Sequence, residues 1–318
     1  MKAFKRISDL QGEDFQVFPE IIELLEVLEI TNLCGQINYQ NNKSLASTYR
    51  ISISPFTFMN GSKWEIPLRI VGLPISLASQ GYWAVENELL EILNGLKGIT
   101  LVLNSREALK GSVRTLPTYV LKNTFRNMDD YLISLRSSYR RRLRLALDRG
   151  SSIDIETIQQ QKFAEEHYEL YLDVMKRTQF PLETLSIDFF KIYPARLTQF
   201  RDKSDGRLLA FTQTKLVGKR LVFMFCGFRE EDVKSYDLYW NMLLSVLEEG
   251  FDNGAELIEM GQTSAETKLK LGCFSEERYM MLYHKNPLLR KLLQLVSSLL
   301  AYKETDPAYH VFKGAERF

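Results

Sequence analysis

One stretch, Leu257 to Cys273, gathers side chains whose types and order could serve a reaction. It opens as an apolar run, Leu257-Ile258-Glu259-Met260, turns through Gly261-Gln262-Thr263-Ser264, and continues as Ala265-Glu266-Thr267-Lys268-Leu269-Lys270 to a second glycine, Gly272. This is the order of a strand running into a helix. Such a junction collects unpaired backbone N–H groups at one point. Gly261 lets a chain or ligand come close, and Thr263 or Ser264 can cap the helix. Lys268 and Lys270 fall on different faces of that helix, so one can face a site while the other faces water.

A second concentration of chemistry is the basic run Ser137-Ser138-Tyr139-Arg140-Arg141-Arg142-Leu143-Arg144. Leu132, Leu135, Tyr139, Leu143, Ala146 and Leu147 form one apolar face, and the arginines mostly fall elsewhere. Serine competes for backbone hydrogen bonds inside helices, so a break is expected near Ser137-Ser138. A helix starting there carries arginines in its first turns, where the dipole disfavours cations, and a nearby anion would relieve that conflict. Three uses remain open: a solvated face with aliphatic stems on the sheet, a phosphate site for coenzyme A or another anionic substrate, and RNA contact. Tyr139 is the one aromatic among the arginines, which gives base stacking little support.

Other chemistry is excluded by what is missing. The chain has no Gly-x-x-x-x-Gly-Lys-Ser/Thr loop, no Gly-x-Gly-x-x-Gly, no His-Glu-x-x-His and no Cys-x-x-Cys. His167, His284 and His310 are too scattered to propose a metal site. Lysine plus arginine number 41 against 40 acidic residues, so the net charge of +1 gives no general attraction to nucleic acid or acidic membranes. Three widely spaced cysteines, Cys34, Cys226 and Cys273, fit a reducing compartment rather than a disulfide framework. Met1 to Arg6 leads into polar residues, not an apolar signal segment, and a cytoplasmic location is expected.

At 318 residues the chain is long enough for two domains or a tandem duplication. In the first 125 residues the pattern predicts a helix over Phe18 to Ile30 and a turn at Asn41-Asn42-Lys43. A strand is expected over Tyr49 to Ser54 and extended chain over Glu65 to Ser79, limited by Pro67 and Pro74. A helix over Glu86 to Leu96 and a buried strand over Ile99 to Leu103 follow. Pro117 to Phe125 reads as another strand, with Asn127 or Asp129 capping the next helix. Further on come a strand over Ser152 to Thr157 and helices over Lys162 to Thr178, with Pro181 behind it, and over Ser186 to Leu197. A hairpin turning at Val217-Gly218-Lys219 and a helix from Tyr236 to Gly250 lead to the opening stretch. Leucines recur at helical spacing from Leu288 to Tyr302, a segment too short to span a bilayer. That stripe docks on the protein's own sheet or a partner subunit, or rests on a membrane as a peripheral contact.

The segment Tyr131-Leu132-Ile133-Ser134-Leu135 followed by Ser138-Tyr139-Arg140-Arg141, then the hairpin, helix and Gly-containing strand end, resembles the FemAB-like branch of the GNAT acyltransferase superfamily, also called BioF2-like. The resemblance runs from Pro117 onward. It implies an α/β (α+β) fold, a GNAT-like mixed sheet flanked by helices in two packed GNAT-like halves. Residues 1–125 are expected to form the N-terminal half, and 126–318 the acyltransferase domain. It further implies an acyl-CoA donor, no metal, and an amino-group acceptor on a small molecule, sugar or cell-envelope precursor. Carried onto this chain, the acceptor cleft would hold Gly261, Gln262, Thr263, Lys268 and Gly272. Glu259 would be the general base, with a salt bridge as its alternative role, and Tyr236 or Tyr239 would return a proton to a leaving thiolate. Lys234 and Ser235 would stand at the helix N-terminus receiving the donor phosphates, and Arg140 and Arg141 would hold an anionic substrate. The Arg/Gln-x-x-Gly-x-Gly/Ala loop of acetyl-CoA-binding GNAT enzymes is absent. Two alternatives are therefore carried: an aminoacyl-tRNA donor, and a degenerate GNAT fold that binds without turnover.

Overall fold

A computed structural model describes residues 2–4, 19–31, 36–41, 44–53, 66–73, 75, 78–178 and 184–314. Expectations for Phe18, Cys34, Asn42-Lys43, Pro74 and Pro181 lie outside the described residues. The chain forms two compact units, 1–117 with 277–304, and 118–276 with 305–318. The division thus falls between Pro117 and Thr118 rather than after residue 125, and the leucine-rich helix belongs to the first unit.

Unit one begins with β1 (Lys2–Phe4), α1 (Pro19–Thr31), β2 (Ile37–Asn41), β3 (Ser44–Ile53), β4 (Ile66–Val71) and β5 (Tyr82–Trp83). Next come α2 (Glu86–Gly95), β6 (Ile99–Ser105) and β7 (Val113–Lys122), the strand along which the chain passes into unit two. Strands β1 to β4 pair antiparallel in sequence order, β5 pairs with β3, and β6 adds parallel to β4. Leu89, Ile92 and Leu93 of α2 are buried with Val71 and Val102, as the amphipathic spacing requires.

Unit two adds α3 (Met128–Ser134), α4 (Ser137–Arg149), β8 (Ile153–Ile158), α5 (Glu165–Arg177), α6 (Ile187–Ile192), β9 (Arg196–Asp202), β10 (Leu208–Val217) and β11 (Arg220–Phe228). It continues with α7 (Glu230–Tyr236), α8 (Leu238–Asp252), β12 (Leu257–Glu259) and α9 (Ala265–Lys270). The chain then returns along β13 (Phe274–Tyr283), antiparallel to β6, to α10 (Pro287–Leu300). Strands β8 to β11 run antiparallel in order, β11 and β12 are parallel, and β12 is antiparallel to β7.

The break before Ser137 is present, because α3 stops at Ser134 and α4 starts at Ser137. Two expectations need correction. The helix expected over Ser186 to Leu197 ends at Ile192, and Arg196 opens β9; Pro194 lacks the N–H needed to carry the helix on. The helix expected from Tyr236 to Gly250 is α8, which begins at Leu238 and runs to Asp252; Tyr236 closes α7, and Asp237 between the two has a left-handed φ of 45°. Aspartate accepts that conformation more readily than most residues.

A cluster of rings holds the end of the chain to the body of unit two. Phe125, Tyr131, Phe251 and Phe312 meet with centroids 5.2 to 6.2 Å apart. Gly272 is part of that packing. Its φ is +88°, and a Cβ there would lie 2.3 Å from the Phe312 ring. Gly272 is therefore a packing residue, not the cleft residue that the resemblance implied.

Candidate functional site

The parallel register of β11 and β12 runs Arg220↔Leu257, Leu221↔Ile258 and Val222↔Glu259, and there it ends. Beyond it Met260 N–H donates to the Tyr119 carbonyl at 2.8 Å and Gly261 C=O accepts from Tyr119 N–H at 3.1 Å, so this chain stays with β7. Strand β11 meanwhile continues to Phe228 on its own course. Two parallel strands that separate at their carboxyl ends leave a crevice, the usual place for a ligand in an α/β sheet.

Side chains from three elements come within electrostatic reach of one another near the end of this register: Cys226 from β11, Tyr239 from α8 and Lys268 from α9, together with Cys273. Lys268 is 2% exposed, although its helix neighbour Lys270 reaches the surface and pairs with Glu266 at 2.6 Å. The helical spacing of the two lysines had called for this division of faces. Gly261 has φ +81°, and a Cβ at that position would stand 3.7 Å from Lys268 Nζ. Glycine here both permits the turn and leaves the ammonium without a side-chain cover.

Burial sets the electrostatics. Desolvation lowers the Lys268 ammonium to about 8, offset in part by Cys273, Cys226 and Glu259. The same burial pushes both thiols up to about 12, so neither is a thiolate nucleophile near neutral pH. It also raises the Tyr239 phenol, against a hydrogen bond with the Ser264 side chain. One cation thus sits beside neutral thiols, with the Glu259 carboxylate within electrostatic reach. An ammonium in such a place can donate a hydrogen bond to an oxygen that gains negative charge, and the low dielectric strengthens that interaction.

Several residues nominated from the sequence have other employment. Glu259 accepts from Arg220 Nη1 at 2.8 Å and from Thr118 Oγ1 at 3.2 Å, and Arg220 is shared with Glu276 at 2.9 Å. With both oxygens engaged and 4% exposure, Glu259 takes the salt-bridge role rather than that of an accessible base. The Tyr236 hydroxyl donates to Asp202, a contact that raises the phenol and holds the carboxyl down near 2. A phenol bound to a carboxylate parts with its proton less readily, which argues against the acid role. Lys234 and Ser235 lie exposed in the last turn of α7, just ahead of Asp237, the N-cap position of α8. Gln262 and Thr263 do lie on the turn beside Gly261, with Thr263 in solvent.

The arginines of α4 separate into two groups. Arg142 grips Asp237 through two hydrogen bonds of 2.8 and 3.0 Å, lies 4.7 Å over the Trp240 ring, and shares Asp237 with Arg149 at 3.2 Å. These contacts hold the left-handed residue that divides α7 from α8. Arg140, Arg141 and Arg144 enter none of the ion pairs among the described residues, and with Ser137, Ser138, Arg142, Leu145 and Asp148 they line a surface depression of about 690 Å³. Tyr139, beside them, is within electrostatic reach of Lys270 on α9, so this ridge borders the helix that carries Lys268. Sequence reasoning missed Arg220, the Arg142–Asp237–Arg149 group and Cys226. The basic run and the apolar strand were visible, but partners tens of residues away leave no local pattern.

No family model matches the sequence, and no curated protein matches it. Solved structures do. The chain aligns over 90% of its length with 93% of the C-terminal domain of a putative lysylphosphatidylglycerol synthetase from Agrobacterium fabrum, at a TM-score of 0.57 and 12% identity. L-PGS from Bacillus licheniformis matches at 0.55 and 14% identity, over 92% of this chain and 100% of that one. A FemX structure matches at 0.52 and 14% identity with the same coverage. The likeness is one of fold: the chain shares with these proteins a mixed α/β arrangement of strands flanked by helices.

Proposed function

We propose that unit two transfers an activated carboxyl group to an amine, with Lys268 stabilising the tetrahedral oxyanion in the wedge between β11 and β12. The observation that carries this reading is the buried ammonium at the end of the β11–β12 register, beside two thiols and a glycine and within electrostatic reach of Glu259. The acceptor amine, arriving unprotonated, attacks the carbonyl carbon. The oxygen that gains charge accepts a hydrogen bond from the Lys268 ammonium, and collapse expels the donor's leaving group, which takes up the proton lost by the nitrogen. Tyr239, a firmly protonated phenol, contributes a second neutral donor to the same space.

Of the two donors that the sequence leaves open, an acyl-CoA and an aminoacyl-tRNA, the arginines support the second. Arg140, Arg141 and Arg144 enter none of the ion pairs among the described residues and offer guanidinium groups to a long polyanion. The fold shared with FemX and with the lysylphosphatidylglycerol synthetases agrees with a donor of this class. The leaving group is then a ribose hydroxyl, and the product is an amide on an amino-bearing acceptor.

The test is incubation of the protein with labelled aminoacyl-tRNA or labelled acyl-CoA and a panel of amines. Label transferred from tRNA, and lost in Lys268→Met, supports the reading. Transfer from acyl-CoA alone reinstates the thioester donor. Binding of tRNA without transfer to any acceptor contradicts the catalytic role.

A further inference from the structure

Helix α10 is mounted with its faces reversed. Its polar side is turned inward: Ser297 is fully buried, the Gln294 side chain lies against Gly111, and Arg290 donates to the Tyr283 hydroxyl at 3.0 Å. Its apolar side is turned out. Leu288, Leu292, Leu295 and Leu299 fall on one line, flanked by Leu289 and Leu300, and these six are 46% to 79% exposed. The leucine periodicity therefore does not cover the protein's own sheet, which corrects one of the uses read from the sequence. A contiguous apolar surface of this kind on one helix marks an interaction site.

We infer that α10 docks unit one onto an anionic lipid surface, lying flat with its leucines below the headgroups. The charges around the stripe point to this occupant. Lys285 precedes the helix, Lys291 borders the leucine line and Lys303, followed by Glu304, comes after it; all three lysines are exposed. Lysines beside a leucine face suit acidic headgroups, whose attraction adds to the burial of apolar area. A second copy packed on the same face would set these lysines against one another. The helix has 14 residues, and no helix among the described residues is long and apolar enough to cross a membrane, so it rests in the interface. This surface is independent of the chemistry proposed for unit two.

The test is flotation of the full chain with vesicles of equimolar phosphatidylcholine and phosphatidylglycerol, beside vesicles of phosphatidylcholine alone. The protein is expected to float with the anionic vesicles and to be released at about 0.5 M salt. The double variant Leu295→Glu, Leu299→Glu should bind about tenfold more weakly with an unchanged Tm, because both side chains are exposed. Replacing Lys285, Lys291 and Lys303 by alanine should weaken binding to the anionic vesicles alone. Four results would overturn the inference: no flotation, equal flotation with both vesicle types, undiminished flotation of the leucine variant, or a dimer in light scattering that this variant dissociates while vesicles are ignored.

Discussion

Two basic regions of unit two make opposite use of their charge. Arg140, Arg141 and Arg144 stand along α4 at the surface, with water to solvate them and few partners to fix them. Lys268, on α9, is almost wholly withdrawn from water among thiols and a phenol, and its pKa has fallen to about 8. Exposed arginines hold a polyanion at little expense in stability, because their charge is already hydrated in the free protein. A buried lysine is a standing strain on the fold, and strain of this sort is kept where a site requires it. Under the proposed transfer, the ridge would bind the donor and the wedge would carry the chemistry.

The largest effect that would sharpen this contrast is on rate. Lys268→Met should lower single-turnover transfer about 100- to 1000-fold, the usual loss when one oxyanion donor is removed, and leave tRNA affinity within about twofold. A fall in affinity with the rate intact would reverse the assignment. Next comes stability. The folded chain releases the Lys268 proton near pH 8, the unfolded chain at its ordinary 10.5. Between those values the unfolded state binds more protons, so stability rises with pH. Below about 8 the full penalty, about 3 kcal/mol, is present. Denaturant melts should therefore show Lys268→Met more stable than wild type by up to that amount at pH 7, with the gap closing as pH approaches 10.5.

A third test concerns arginines that look like ridge members but are not. Asp237→Ala removes the partner of Arg142 and Arg149 and should lower stability by about 2 kcal/mol in urea melts, since it breaks a two-bond ion pair at a left-handed residue. Loss below about 0.5 kcal/mol would mean that these arginines are as free as their neighbours. The smallest free-energy change is on the ridge itself. Arg140→Glu, Arg141→Glu and Arg144→Glu together should weaken tRNA binding at least about tenfold and flatten its salt dependence. Stability should stay within about 0.5 kcal/mol, because exposed sites contribute little.

The strand-to-helix turn at Leu257 to Cys273 was legible because each of its signals is local: an apolar run, a glycine needing positive φ, and two lysines at a spacing that sends them to different faces. The start of α4 at Ser137 was legible for the same reason. What was hidden depends on distance or direction. Glu259 could be read as a base from its place on the strand, but its partner Arg220 comes from the neighbouring strand, and pairing across strands is decided by register. Asp237 stands at the N-cap position of α8, but its side chain makes no cap hydrogen bond and is held by two arginines from α4. The leucine stripe of α10 was visible as a stripe, but periodicity defines faces without saying which one meets water. Strand β9 was obscured because the helix reading was carried past Pro194 to Leu197, into the start of the strand at Arg196.

The most direct measurement is the single-turnover rate of amide formation from a saturating aminoacyl-tRNA, compared between wild type, Lys268→Met and the triple ridge variant. Saturation removes the contribution of the ridge to binding. The account predicts that the ridge variant then reacts at nearly the wild-type rate while Lys268→Met falls by about two orders of magnitude or more. Equal rates for wild type and Lys268→Met would contradict it, because the buried ammonium would then have no part in the transfer.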